Sequence, residues 1–532
     1  MARLLHELIL EQAEHRPDAA AIVHRQTTLD YAQLTDLVQK TARGLLALGL
    51  NRAERVAMYL PKRPEAVAAL FGAALAGGVF VPINPLLKPE QVAYILRDCN
   101  VRILITARDR AELLEPLLID CPDLHSLVRV DEDEDAPPVV HPRHWQVLGW
   151  SNLLAADDSR LPARAIDIDM AAILYTSGST GKPKGVVLSH RNMLAGADSV
   201  AEYLDNRPED RLLAVLPFSF DYGLSQLTTA FVAGARAVLM DYLLPRDVVA
   251  TVAREGITGL AAVPPMWVQL AMLEWPAAAA DSLRYITNSG GAMPRATLAA
   301  LRRALPKTTP FLMYGLTEAF RSTYLPPAEL DRRPDSIGKA IPNAEILVVR
   351  EDGTPCAPGE PGELVHRGAL VGLGYWNDPA KTAERYRPAP GQNPGLPIPE
   401  LAVWSGDTVR SDEEGFLYFI GRKDDMIKTS GYRVSPTEIE EVLYSSGQAA
   451  EAAALGIPHP ALGQAVVAVI KPLRETFNES ELIAYCKQHL PNFMVPLQII
   501  ARSTDLPRNP NGKIDRKSLV EELRNLFPEN VG

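Results

Sequence analysis

The sequence predicts an α/β protein with a large N-terminal domain on a mostly parallel sheet and a small α+β C-terminal domain. Three observations carry this. Short apolar, β-branched runs alternate with stretches of helical spacing, the rhythm of βαβ units. The 532 residues are 47% hydrophobic, enough for several large cores. Past about residue 425 the alternation gives way to a different mixture of strands and helices.

The elements follow in order. "MARLLHELILEQAEHRPD" carries Glu7, Glu11 and Glu14 within its apolar spacing, which makes it an amphipathic helix and not a signal peptide. "RVAMYL" reads as a strand, "PEAVAALFGAALA" as a helix and "VFVPI" as the next strand. Residues 66–83 hold no charge, yet Gly77 and Gly78 interrupt them. A buried helix, a turn and a buried strand suit them better than a membrane span. "VRILITA" and "DRAELLEPLL" repeat the strand–helix pair, as do "RAVLM", "PRDVVATVAREG" and "ITGLAAV". The acidic run at 131–135 is a solvated loop. Residues 387–400 hold five prolines and read as an exposed loop or insertion. In the last 110 residues or so, a typical domain size, "SPTEIEEVLY" looks like a helix capped by Ser435 with Pro436 at its first position. "AAEAAALGI" and "QAVVAVIKP" read as strands and "ESELIAYCKQHL" as a helix.

Net charge is −11, which argues against a broad nucleic-acid-binding face. Cys99, Cys121, Cys356 and Cys486 lie far apart in sequence. They suggest neither a disulfide framework nor a zinc site and fit a reducing cytoplasm.

The chemistry concentrates in a few stretches. "LYTSGSTGKPKG" at 174–185 follows one strand-like run and precedes another. Its glycines let backbone N–H groups turn toward an anion, and Lys182 and Lys184 add positive charge. It is not a Walker A loop: only two residues separate Gly178 from Gly181, and Pro183 stands after Lys182. A flexible Gly/Ser surface loop is the alternative. "MYGLTEA" places Tyr314, Thr317 and Glu318 after an apolar run. "SGDTVR" holds Asp407, "GRKDDMIKTSGYRVSPTEIE" spans the domain boundary, and "PRNPNGKIDR" sets Lys513 on a turn. Each stretch alone is compatible with an ordinary core residue or solvated loop.

In this order and spacing they resemble the AMP-forming adenylate-forming superfamily of acyl-CoA synthetases, amino-acid adenylation enzymes and luciferases. The resemblance covers residues 10–520, nearly the whole chain. It implies a large multi-subdomain N-terminal domain, 1–423, that binds AMP and the acid. A small mobile C-terminal domain, 424–532, would carry a hinge at Asp424 and a catalytic lysine. It implies ATP and CoA as co-substrates with Mg²⁺, and acyl-adenylate formation followed by thioester formation. Thr176, Ser177, Gly178, Ser179, Thr180 and Lys184 would then cradle the β/γ-phosphates. Tyr314 would stack on adenine, Thr317 donate to the α-phosphate and Glu318 hold Mg²⁺. Asp407 and Arg422 would hold the ribose, and Lys513 would reach the reacting oxygens. Gly431 would line a tunnel for the thiol arm.

"LPFSFDYGLSQLTTAFVAGA" matches the family's acid-pocket region, with Phe220 near the reacting carboxylate. Asp221 departs from most acyl-CoA synthetases and resembles amino-acid adenylation enzymes, in which aspartate binds the substrate ammonium. Such a buried pair contributes roughly 1.5–3 kcal/mol. The alternative is that Asp221 pairs with a protein group or faces water. "YGLTEA" leans toward CoA ligases, and "NSGGAMP", with Gly290 and Gly291, would form another pocket wall. Only 19 residues follow Lys513, so no carrier domain is expected there and the thiol is CoA or a separate carrier protein. A stand-alone amino-acid adenylation enzyme, an inactive nucleotide-binding regulator and a luciferase-like oxygenase are the other readings. Neither nucleic acid nor stable membrane insertion is expected.

Overall fold

The structure, a computed structural model, describes residues 2–131, 139–140, 145–156, 164–176, 183–291, 293, 295–393, 395–422, 427–434, 436–474, 477–507 and 514–528. Among the described residues the strands form sheets of fourteen, nine and five. The first two build the large domain and the third the small one.

The parallel prediction holds for the heart of each large sheet. In the nine-stranded sheet, Val79–Pro82, Arg55–Tyr59, Val101–Thr106, Ser126–Arg129 and Gln146–Gly149 run parallel. In the fourteen-stranded sheet, Ala20–His24, Arg236–Leu239, Arg211–Ala214, Gly259–Ala262, Tyr285–Asn288 and Thr309–Tyr314 do so. Beyond Thr309–Tyr314 the pairing turns antiparallel through Thr323–Leu325, Ser336–Ala340, Leu417–Arg422, Leu401–Ser411, Gly362–Gly368 and Ala344–Val349. The sequence pattern does not anticipate that antiparallel region. Ser336–Ala340 and Ala344–Val349 are short and partly exposed, and the largely buried Leu401–Ser411 is broken by Ser405, Gly406 and Asp407, so the apolar signal is weak.

One apolar core joins both large sheets: Val56, Leu174 and Leu188 from one, Ile22, Leu212 and Ala237 from the other. Between them lies the helix Pro64–Leu75, buried throughout Ala66–Ala74. This explains the lack of charge from Ala66 onward, after Glu65 in the first turn. Its twelve residues span about 18 Å, short of the roughly 30 Å of a bilayer. Among the described residues no helix is long and apolar enough to cross a membrane. Phe71 on that helix meets Phe231 edge-on at 5.4 Å, and each ring stabilises the core by about 1.5–3 kcal/mol. The N-terminal helix forms at Glu7–His15.

The small domain's sheet runs Tyr432–Val434, Ile427–Thr429, Gly463–Pro472, Ala449–His459, with Gln498–Ala501 parallel to Gly463–Pro472. Helices Pro436–Ser445 and Glu479–His489 form where expected. Asn478 caps the second by accepting from the Ser480 and Glu481 N–H groups. Ser435 lies outside the described residues, as does most of the acidic run at 131–135.

Three buried histidines give the large domain an acid-sensitive element. Burial lowers His6 and His190 to about 4 and His366 to about 3. The Leu5 N–H donates to Nδ1 of His190 at 3.0 Å, which requires a neutral ring. A pKa below that of the unfolded chain means the contribution is complete above about pH 6.5 and is lost as pH falls. For each ring the loss reaches about 1.4 kcal/mol per pH unit. His366→Gln removes one such group. The stability gap between wild type and variant in urea should therefore narrow by about 2 kcal/mol from pH 6.5 to pH 5. An unchanged gap would mean that His366 is not held neutral.

Candidate active site

The glycine-rich loop connects two antiparallel strands, Met170–Thr176 and Lys184–Ser189, and Thr176 stands directly opposite Lys184 in the ladder. Ser177, Gly178, Ser179 and Thr180 lie outside the described residues. The flanks of the loop are held by the helix Pro89–Asp98. The Asp98 carboxylate accepts from the Tyr175 hydroxyl at 2.6 Å and from that of Tyr94 at 3.3 Å. The Tyr94 hydroxyl also lies 3.4 Å from the Pro183 carbonyl. Burial raises the Tyr175 phenol far above its usual range, so it stays a donor.

Lys184 is half-buried, with Nζ 5.4 Å from the Tyr375 ring centroid. Burial first, then Lys381 and Arg385, lower its pKa. Both cations come from the short helix Pro379–Arg385, started by Asp378, whose side chain accepts from the Lys381 N–H at 2.9 Å. Lys381 and Arg385 are four apart in "NDPAKTAERY" and share a helix face. That spacing behind an N-cap is a signal present in the sequence but absent from the residues singled out above.

Glu318 lies in the short 3₁₀ turn Thr317–Ala319, and both it and Thr317 are buried. Its carboxylate accepts from the Tyr375 hydroxyl at 2.6 Å, and its carbonyl from the Gly372 N–H at 2.8 Å. Tyr314, just before this turn, donates its hydroxyl to Asp407 at 2.5 Å. Asp407 pairs across the antiparallel ladder with Arg422, whose side chain is outside the described set. Tyr314, Thr317, Glu318, Lys184 and Asp407 therefore converge, although 223 positions separate Lys184 from Asp407 (407 − 184).

Phe220 precedes the helix Asp221–Val232, with its ring edge-on to Tyr222 at 6.0 Å. Asp221 is buried and pairs with Arg321, Nη1 to Oδ2 at 2.8 Å. Of the two alternatives for Asp221, the structure realises pairing with a protein group. Gly290 and Gly291 close the strand Tyr285–Asn288, and Asn288 donates its side-chain amide to the Gly291 carbonyl at 2.9 Å. Gly431, from the small domain, lies against Gly290. A Cβ on Gly290 would meet the Gly431 carbonyl at 3.3 Å, and one on Gly431 would meet Val263 at 2.6 Å. Gly431 also has φ +80°, a conformation that favours glycine. Asp424 and Lys513 lie outside the described residues.

Residues 9–376 match the family model of the AMP-binding enzymes, and residues 438–513 match the model of their C-terminal domain. The chain belongs to this adenylate-forming family. It is 30% identical over 517 residues to gramicidin S synthase 2 of Aneurinibacillus migulanus, covering 96% of this chain and 11% of that protein. It thus spans about a tenth of the length of the peptide synthetases it matches first. It covers nearly all of two shorter relatives. One is the L-proline–[L-prolyl-carrier protein] ligase of Pseudomonas fluorescens, 29% identical over 98% of this chain and 99% of that one. The other is the long-chain-fatty-acid–CoA ligase of Salmonella typhimurium, 30% identical over 98% and 94%. Among solved structures, the o-succinylbenzoate CoA synthetase of Bacillus subtilis is 26% identical over 96% of this chain and 97% of that one. The TM-score is 0.82 to a double variant bound to a product analogue and 0.68 to the complex with AMP.

Asp98→Ala should loosen both flanks of the glycine-rich loop. Two phenols lose a charged acceptor, a loss of about 1.5–3 kcal/mol each. Amide hydrogen exchange should quicken at residues 174–176 and 184–186 and stay unchanged in the strand Gly463–Pro472. Unchanged exchange at the flanks would remove Asp98 from that role.

Proposed function

We propose that this chain is an AMP-forming acid–thiol ligase that activates a carboxylic acid with ATP and passes the acyl group to CoA. A carboxylate oxygen attacks the α-phosphorus, the bond to the bridging oxygen breaks and pyrophosphate leaves. The thiol sulfur then attacks the acyl carbon, its proton is released, and AMP departs. Both steps build negative charge on oxygen, so preorganised donors and cations dominate the catalysis. In this reading Tyr314 stacks on adenine, and Asp407 with Arg422 takes the ribose hydroxyls. Thr176, Ser177, Gly178, Ser179, Thr180 and Lys184 take the β/γ-phosphates. Thr317 donates to the α-phosphate, while Phe220, Asp221, Gly290 and Gly291 bound the acid site.

The Glu318 carboxylate, fixed by Tyr375 beside Lys184, fits a hard cation. Mg²⁺ bound there would neutralise phosphate charge. Lys381 and Arg385 add positive charge on the same side, which suits departing pyrophosphate.

The observation that carries the thioester step is the seat of Gly431 against Gly290 and Val263. It sets a backbone without a side chain at the acid end of the cleft, where a pantetheine arm would pass. The higher TM-score to the product-analogue complex than to the AMP complex of the same enzyme supports this reading. Adenylation then requires the small domain, 424–532, to turn about Asp424 and bring in Lys513, a hinge motion. Loading a separate carrier protein is the second reading, favoured by the proline–carrier ligase relative. The free thiols of Cys99, Cys121, Cys356 and Cys486 suit a cytoplasmic setting.

Lys513→Ala should abolish most ATP–pyrophosphate exchange, yet spare thioester formation from a supplied acyl-adenylate, because a charge-assisted contact is lost in only one half-reaction. Gly431→Ala should do the opposite, since its Cβ would strike Val263 only in the arrangement seen here. Equal losses of both half-reactions in either folded variant would refute the two-arrangement mechanism. Comparing CoA with a phosphopantetheinylated carrier protein as acceptor separates the two thiol readings.

A further inference from the structure

The acid region holds an ion pair that the proposed reaction does not itself require. Asp221 and Arg321 have side chains only 5% and 3% exposed. Arg321 Nη1 donates to Asp221 Oδ2 at 2.8 Å and to the Phe320 carbonyl at 3.1 Å. Its Nη2 donates to the Asp221 carbonyl at 3.3 Å. The guanidinium stands 4.9 Å from the Tyr222 ring centroid, and the Tyr222 hydroxyl meets that of Thr287 at 2.5 Å. Thr287 lies on the strand that leads to Gly290 and Gly291, while Arg321 lies three residues past Glu318. Tyr222, Ser225, Thr287, Met313 and Arg321 line one small cavity between these elements.

A substrate ammonium seeking the Asp221 carboxylate would find the Arg321 guanidinium already there. It would meet like-charge repulsion in a buried setting. Displacing the arginine instead would strand a buried cation, which costs more than the original pair gained. An acid without that ammonium meets neither obstacle. We propose that Arg321 supplies from within the chain the cation that an amino acid would bring. The pocket accordingly takes carboxylic acids lacking an α-ammonium group, and Arg321 is a specificity-determining residue. This assignment rests on the ligase reading above and narrows its substrate class.

Two non-reacting probes that differ only in the ammonium group test it: acetyl-sulfamoyl adenosine and glycyl-sulfamoyl adenosine, titrated calorimetrically into the full chain. Wild type should bind the acetyl compound at least tenfold more tightly. Arg321→Met, which leaves Asp221 without this partner, should shift the ratio at least tenfold toward the glycyl compound. Adding Asp221→Asn should remove that shift, which a merely structural effect of Arg321 would not do. Equal or tighter binding of the glycyl compound by wild type would overturn the proposal without touching the ligase reading. So would an unchanged ratio in folded Arg321→Met. Failure of both probes to bind, together with no pyrophosphate exchange for any acid, would overturn the ligase reading and this assignment with it.

Discussion

The turn from Tyr314 to Arg321 ties together parts of the large domain that are otherwise far apart. Tyr314 ends the last parallel strand and bonds Asp407 in the antiparallel region. Glu318 bonds Tyr375, which pairs with the nine-stranded sheet. Phe320 packs on the helix His190–Tyr203 at Gly196, where an added Cβ would lie 2.3 Å from the ring. Arg321 reaches Asp221 at the start of another helix. Phe320 pays for this with φ +54°, a conformation that costs a non-glycine residue on the order of 1–3 kcal/mol. The strain reverses the chain between Glu318, which reaches Tyr375, and Arg321, which reaches Asp221. Burial of the Phe320 ring and the Arg321 pair offset it.

That turn also explains how the charges coexist. Asp221 is neutralised inside the protein by Arg321. Burial first, then nearby Lys381 and Arg385, lower the pKa of Lys184, while nearby Glu318 and Asp378 raise it. The Asp221 end is thus balanced internally, while the Lys184 end gathers Lys184, Lys381 and Arg385 beside the carboxylates of Glu318 and Asp378. In the proposed reaction a polyanionic triphosphate would complete the second set. In the proposed reaction a carboxylate arriving at the first would meet a neutral pair.

Legibility in the sequence followed the physics of each feature. The strands Met170–Thr176 and Val101–Thr106 and the helix Pro245–Glu255 were legible because burial imposes a strong apolar period. The motifs around Tyr314, Glu318 and Asp407 were legible because their spacing is distinctive, and the structure brings those side chains together. Partner choice was not legible. Nothing local to "SFDYG" says that its aspartate meets an arginine 100 positions away (321 − 221). The roles of Lys381 and Arg385 come from folding the Pro379–Arg385 helix near Lys184, and that of Tyr375 from pairing its short strand with Lys184–Ser189, so neither is local to a motif. For Asp98 the non-local partner is Tyr175, on the strand Met170–Thr176, while Tyr94 stands four residues back on its own helix.

The small domain meets the large one through contacts suited to being made and broken. Gln91 donates to Glu438 at 2.8 Å, and Gly431 touches Val263 and Gly290 mainly through its backbone. Tyr432 itself stacks on Phe493 at 3.8 Å within its own domain. The apolar core of the small domain, with Ile439, Leu443 and Leu482, draws on its own elements alone. A unit with a complete core and a polar seam can change seats without unfolding, because each hydrogen bond lost at the seam is replaced by one to water at a net loss of about 0.5–1.5 kcal/mol. Glycine at 431 keeps the seam thin. Any side chain there would turn a reversible backbone contact into a steric block against Val263.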